Sequence, residues 1–335
     1  MTIDRRTMDE IARLAGVSKA TVSRVMSGST LVKEATRQRI MGIAREQGYA
    51  VNRSARRLRQ NRAQTIALVL DLPSLPNQRV SQPFHFELFA DVLKAVNARK
   101  HDVLLHSPDD ESIGTYEDMV ASQLADGVIF IGQGQRMPVL RALADTSVPF
   151  VVWGVADPDE RYCTVGTDNR LGGRLAARRF VALGRARIVF VGPLSHHEIL
   201  ARKEGLEAGL SGSGEAYALD VLEPADLSYE AFLAAIRAYL DRDAPPPDAI
   251  FCASDTGALA AIAALSDRAL RVPRDVSVIG YDDIPQAYQV RPTLTSIRQD
   301  TQLAAALLVD CLMQQIAGET ATSAVMPTEL IIRES

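Results

Sequence analysis

The stretch TMDEIARLAGVSKATVSRVM, Thr7 to Met26, limits what this chain can be more than any other part of it. Ile11, Ala12 and Ala15 recur at helical spacing and give one apolar face. Gly16 follows where a tight turn needs a positive φ, which a Cβ disfavours. Val17 is the apolar turn residue that packs beneath, Ser18 is a good N-cap, and Val22 and Val25 face inward from a second helix. The spacing predicts two short helices joined by a tight turn. It leaves Lys19, Ala20, Thr21, Ser23 and Arg24 on the outer, forward face. Short hydroxyl and cationic side chains there suit a helix whose N-terminal half enters the DNA major groove. The same spacing also describes a plain helical hairpin with a solvated polar face.

Charge favours the first of these. Residues 1–62 carry 14 Lys/Arg against 5 Asp/Glu, a net +9, while the other 273 residues carry 23 against 36, a net −13. A small basic head on an acidic body is the footprint of a nucleic-acid module joined to a regulatory domain. At 335 residues, 47% apolar and 23% charged, the chain is long enough for two or three cored domains of a soluble protein. It shows neither an N-terminal apolar run nor a membrane-length stretch. Cys163, Cys252 and Cys311 are scattered and odd in number, which points to a reducing cytoplasm and no disulfide framework.

The run Asp9-x-Ile-Ala-x-x-Ala-Gly-Val-Ser-x-x-Thr-Val-Ser-Arg-Val, ending at Val25, resembles the signature of the LacI/GalR family of bacterial transcription regulators. The resemblance extends over essentially all 335 residues. It implies a helix-turn-helix headpiece at 1–50, a hinge at 51–64 and an effector-binding core at 65–335. The implied DNA-contacting set is Thr7, Ser18, Lys19, Ala20, Thr21, Ser23, Arg24 and Lys33, with Asn52, Arg53, Ala55 and Leu58 in the hinge. Leu58 would be the minor-groove wedge that bends the duplex. Two positions depart from the family pattern. Lys33 replaces the usual capping Ser or Asp at the start of a third helix expected over Glu34–Gln47, and Val51 replaces the usual Pro. A lysine cannot cap and opposes the helix dipole, so a DNA phosphate beside Lys33 would offset both effects. Tyr49–Gln64 holds five arginines and few core-forming residues, so it cannot order by burial alone.

From Thr65 onward, short apolar runs alternate with helical patterns. TIALVLDL, HDVLLH, GVIFIG, PFVVWG, CTVGTD, RIVFVG, YALDVL, AIFCA and VSVIGY all read as strands. Such alternation means α/β architecture with parallel sheets covered on both faces. The strands are too many for one small sheet, so two doubly wound subdomains with a cleft between them are expected, as in the periplasmic-binding-protein-like core the resemblance implies. Its subdomains would span about 65–163 with 293–324, and about 164–292 with 325–335.

Ligands bind at the carboxyl ends of such strands. Phe84 and His85 match the family's aromatic pair, and Arg202 matches its R-x-x-G arginine, here RKEG. The same resemblance places Ser254, Asp255 and Asp282 in the pocket, with Tyr281 beside Asp282 at the strand end. Gln133 and Trp153 are further candidates, as is Leu227, which stands where a pocket aromatic is frequent. A fixed guanidinium and carboxylates that accept from paired hydroxyls suit a sugar. His196-His197-Glu198 lacks a completing ligand for a metal, and Gly132-Gln133-Gly134 and Gly172-Gly173 lack the context of a phosphate loop. No catalytic constellation is found, and no cofactor is expected.

The reading is therefore a cytoplasmic, homodimeric repressor of carbohydrate-utilisation genes, released from a palindromic operator by a small-molecule effector, a sugar in the first instance. Because the sequence closes on MPTELIIRES with no heptad tail, a dimer rather than a coiled-coil tetramer is expected. The rivals are a solute-binding protein of the same core fold, a regulator responding to a purine or other metabolite, and a Rossmann-type enzyme. The basic head and the missing leader count against the first of these, and the missing dinucleotide fingerprint counts against the last.

Overall fold

The computed structural model describes residues 7–26, 29, 31–49, 62–70, 83–106, 112–133, 137–157 and 159–335. The hinge positions Val51, Asn52, Arg53, Ala55 and Leu58 lie outside the described residues. The chain divides into two compact units, residues 1–62 and 63–335.

In the first unit, α1 (Met8–Leu14), α2 (Lys19–Met26) and α3 (Glu34–Glu46) surround a small core of Ile11, Ala12, Ala15, Val22, Val25, Ile40 and Ala44. The start of α1 is fixed by a capping box. Thr7 Oγ1 accepts from the Glu10 N–H at 3.3 Å, and the Glu10 carboxylate accepts from the Thr7 N–H at 2.7 Å. Gly16 has φ +61° with no neighbour near its missing Cβ, so the turn needs glycine for its backbone and not for space. Ser18 Oγ caps α2 by accepting from the Thr21 N–H at 3.1 Å. Helix α3 begins at Lys33 without a side-chain cap, as the sequence requires.

The second unit contains two six-stranded sheets. Strands β1 (Thr65–Leu70), β2 (Asp102–His106), β3 (Gly127–Ile131), β4 (Phe150–Trp153), β5 (Cys163–Thr167) and β11 (Ala324–Met326) form the first, in the order β11-β5-β4-β3-β1-β2, all parallel. Strands β6 (Arg187–Val191), β7 (Ala218–Leu222), β8 (Ala249–Cys252), β9 (Ser277–Asp282), β10 (Thr295–Arg298) and β12 (Glu329–Ile331) form the second, in the order β12-β10-β9-β8-β6-β7. Only the β10–β12 pair runs antiparallel. Helices α4 (Pro83–Ala98) and α12 (Thr301–Ile316) cover one face of the first sheet, through Leu88, Val92, Leu308 and Leu312, and α5 (Ile113–Ala121) and α6 (Met137–Leu143) cover the other. Helices α7 (Asn169–Ala182) and α8 (His197–Ser211) cover one face of the second sheet, and α9 (Tyr229–Leu240) and α10 (Asp255–Ser266) the other, with the short α11 (Gln286–Gln289) beside them. Burial on both faces explains why the central strands are continuous apolar runs rather than alternating ones.

The chain changes sheet after Thr167, after Arg298 and after Met326; the last lies near the expected 325, while the first two come a few residues later than the expected 163 and 292. All of β5 pairs with β4, Val151 opposite Cys163, and so stays in the first sheet. All of β10 pairs with β9, Thr295 opposite Ile279, and so belongs to the second sheet. Buried strands of either sheet look alike in sequence, and only their pairing assigns them.

Candidate functional site

Within the first unit, Ser18, Lys19, Ala20 and Arg24 are exposed on α2, and Thr21 and Ser23 are half-buried beside them. Val22 and Val25 anchor the opposite face. Lys19 Nζ meets the Asp9 carboxylate at 2.7 Å, which holds the amine over the α1–α2 crossing. Both groups are exposed, so this pair is weak and its lysine is readily transferred to another anion. The Ser18 and Thr21 hydroxyls are 2.9 Å apart. Lys33 is exposed at the uncapped start of α3. Thr7 is spent largely on its capping box.

In the second unit a cavity opens where strands of both sheets end. From the first sheet come Gln133 after β3, Trp153 on β4 and Thr167 on β5; from the second come Ser254 after β8 and Asp282 on β9. Phe84 and His85 reach it from the first turn of α4, and Glu198 and Arg202 from the first turns of α8. Phe84 is packed in the core beneath, with its ring centroid 5.8 Å from that of Trp153 at 42°. These two rings form an apolar floor.

Arg202 is the most constrained polar group there. It is buried, and its Nε donates to Asn169 Oδ1 at 2.8 Å while an η-nitrogen donates to the Ala253 carbonyl at 2.5 Å. Its guanidinium lies 3.6 Å from the centroid of the Tyr281 ring. A planar fork held on three sides presents its remaining donors in one direction. Glycines allow this placement. A Cβ on Gly173 would strike the Arg202 carbonyl, and one on Gly205 would strike the Arg170 carbonyl, so α7 and α8 touch backbone to backbone.

Asp282 faces the cavity at φ +108°, an unfavourable backbone for a residue with a Cβ, and accepts from Gln299 Nε2 at 2.7 Å. Burial raises its pKa to about 7, against the opposing pull of Arg202 and Gln299. Burial also works against the Glu198 carboxylate, yet His196 and Arg202 outweigh it and hold that group down at about 2. The wall therefore carries one carboxylate that is firmly ionised and one balanced near neutrality.

Two candidates, Asp255 and Tyr281, take different places from those expected, and Gln133 and Leu227 line the cavity as expected. Asp255 is fully buried and does not line the cavity. Its carboxylate accepts from Ser296 Oγ at 2.6 Å and from the Ile284 N–H at 2.8 Å, so it ties β10 to the turn after β9, and burial raises its pKa. The cap of α10 is Ser254, whose Oγ accepts from the Gly257 N–H at 3.3 Å. Tyr281 is buried behind Arg202, outside the lining, because strand alternation turns it away from the face that Asp282 shares. Gln133 lines the cavity, but its amide is engaged by the Val155 backbone, donating to the carbonyl at 3.1 Å and accepting from the N–H at 3.0 Å. Leu227 lines the cavity and supplies apolar surface.

Sequence reasoning passed over Thr167, Asn169 and Gln299, and considered Glu198 only as a metal ligand. Thr167 Oγ1 donates to Gln299 Oε1 at 2.6 Å, which fixes the amide that serves Asp282. The signal was present for Asn169. It follows a strand end and an N-capping Asp168, where a short polar side chain points back at the sheet edge. Gln299 gave no local signal, because its role depends on the crossing from β10 to α12. Among the described residues no metal-ligating cluster occurs, and no helix is long and apolar enough to cross a membrane.

Comparison with known proteins agrees with this layout. The model for bacterial regulatory proteins of the lacI family matches residues 7–52, and that for a periplasmic binding protein-like domain matches 177–335. The HTH-type transcriptional regulator CelR of Thermobifida fusca is 36% identical over 99% of this chain and 98% of its own. The HTH-type transcriptional repressor PurR of Pasteurella multocida is 30% identical over 98% of each. Among solved structures, a CelR–cellobiose complex is 32% identical with a TM-score of 0.70, covering 99% of this chain and 100% of that one. A lac repressor dimer bound to operator and the anti-inducer ONPF is 25% identical with a TM-score of 0.82, covering 99% of each.

Proposed function

Because the chain belongs to the lacI family of bacterial regulatory proteins, we infer that its cleft is an effector site whose occupancy sets how tightly the headpiece holds DNA. The protein is a sequence-specific DNA-binding transcriptional regulator that acts as a homodimer on duplex operator DNA. We assign repression as its mode, and the cytoplasm as its location. Each protomer reads one half-site of a palindrome with α2, through Lys19, Ala20 and Arg24, while Lys33 and Ser18 meet the backbone. Asn52, Arg53, Ala55 and Leu58 complete the interface in the minor groove.

The single observation that carries the effector assignment is the buried Arg202, with donors aimed into a cavity whose other walls are an aromatic floor and two carboxylates. Vicinal hydroxyls donate to Asp282 and Glu198 and accept from Arg202, while the apolar face of a pyranose rests on Phe84 and Trp153. A neutral sugar fits this set better than a phosphate or carboxylate, which two carboxylates would repel. Cellobiose in the structure of a relative is of this class. Ligand contacts from both sheets favour one relative angle of the two, and the linkage to DNA runs through residues 51–64. The relatives are regulators, and we assign this chain no enzymatic activity.

A thermal-unfolding scan against neutral mono- and disaccharides, sugar phosphates, purines and amino acids tests the site. A ligand at about 100 times its Kd stabilises by roughly 2.7 kcal/mol. A neutral saccharide that also releases operator DNA is the expected result. A hit confined to purines or phosphates would overturn the sugar assignment and recast Arg202 as an anion anchor.

A further inference from the structure

Two of the three cysteines meet in the first sheet's core although 148 residues separate them in sequence. Four contacts bring the two segments together. Gln315, one turn beyond Cys311 on α12, clamps Phe150 by accepting from its N–H at 3.0 Å and donating to its carbonyl at 2.8 Å. The next residue, Val151, lies opposite Cys163 in the β4–β5 register. Cys311 Sγ donates to the Thr322 carbonyl at 3.7 Å, and the neighbouring Ser323 hydroxyl accepts from the Thr164 N–H at 3.0 Å. The two side chains lie in the same buried cluster, close enough for each thiol to shift the other's titration, Cys163 upward and Cys311 downward. Cys163 also lines a second cavity, with Arg161, Tyr162, Gln315 and Thr320, which gives small molecules a route to Cys163. Cys252, on the second sheet, is fully buried and takes no part.

We propose that Cys163 and Cys311 form a reversible dithiol–disulfide pair that a hydroperoxide closes. One thiolate attacks a peroxide oxygen, the O–O bond breaks, and the departing oxygen takes up a proton and leaves as water. This yields a sulfenic acid. The second thiol then attacks that sulfur, the S–O bond breaks, a second water leaves, and the S–S bond remains. The two thiols lose two electrons and two protons, and hydrogen peroxide accepts all four. The bridge fastens β5, which leads out of the first sheet at Thr167, to α12, which leads back into it after Arg298. In a reducing compartment such a pair rests as thiols and closes under oxidation.

The test is peptide mapping of the full chain after hydrogen peroxide treatment, alkylated and digested without reductant. The expected product is an intrachain Cys163–Cys311 peptide, two hydrogens lighter than the free pair, with Cys252 still alkylated and the link reopened by dithiothreitol. Neither Cys163→Ser nor Cys311→Ser should give the link. The proposal is overturned if both cysteines of the treated wild type alkylate fully. It is overturned equally if they oxidise singly to sulfinic acid without a link, or if only interchain links form.

Discussion

Replacing Asp282 with Asn should stabilise the protein at neutral pH while removing its effector response. In the folded chain burial holds this carboxyl at about 7, against an ordinary 3.8 for the unfolded chain. Below pH 3.8 both states carry the proton and the group is neutral in its effect. Between 3.8 and about 7 the folded state keeps a proton that the unfolded state has lost, so stability falls as pH rises. Above about 7 both states are ionised and the cost is constant. At about 1.4 kcal/mol per pH unit that cost reaches on the order of 4 kcal/mol. Asn is nearly isosteric and still accepts from Gln299, so the substitution removes the charge and keeps the hydrogen bond. Urea denaturation of wild type and variant at several pH values isolates the effect, since titrating groups that do not interact with Asp282 cancel in the difference. The advantage of Asp282→Asn should be negligible below about pH 4, grow to about pH 7 and stay level above it. A difference that does not vary with pH, or a variant less stable at pH 8, would refute the reasoning. Loss of ligand-induced stabilisation in the same variant would mark the charge as a functional liability retained for binding.

Arg202→Ala should leave DNA binding intact and remove the effector response, at roughly 1.5–3 kcal/mol per charged hydrogen bond lost, or about 10–150-fold in Kd. A response that persists in calorimetry would displace the pocket. Asn169→Ala frees Arg202 Nε and should weaken effector binding about 10-fold or more with little change in operator affinity; unchanged affinity would mean that Asn169 does not position the guanidinium. Gly205→Ala places a methyl against the Arg170 backbone and should cost about 1–3 kcal/mol or more by denaturant melt, a result that wild-type stability would contradict. Arg24→Ala should abolish operator binding without altering the thermal transition, because Arg24 is exposed and lies outside the Ile11–Val22–Ile40 core.

The sequence made legible whatever depends on neighbours along the chain. The α1–turn–α2 unit follows from the spacing of Ile11, Gly16, Ser18 and Val22, and the capless start of α3 follows from Lys33. Strands buried on both faces announce themselves as runs such as TIALVL and VSVIGY. The cavity residues Phe84, Arg202 and Asp282 were accessible through the resemblance because each follows a recognisable strand or helix boundary. What depends on pairing across the fold was not legible. Asp255 reads as a pocket acid, yet Ser296 and Ile284 claim both its oxygens from segments far along the chain. Gln299 and Thr167 become a single hydrogen-bonded unit only because two crossings lie side by side. The meeting of Cys163 and Cys311 is of the same kind.

The most direct test of the central claim is the affinity of the full chain for a duplex selected from a random pool, measured between 50 and 200 mM salt with and without the saccharide found in the ligand scan. A regulator making about 6–10 phosphate contacts loses roughly 10³–10⁵ in affinity over that range. The account predicts that steep loss, with a further drop on adding the saccharide at fixed salt. An affinity flat in salt, or no duplex bound at any salt, would contradict it.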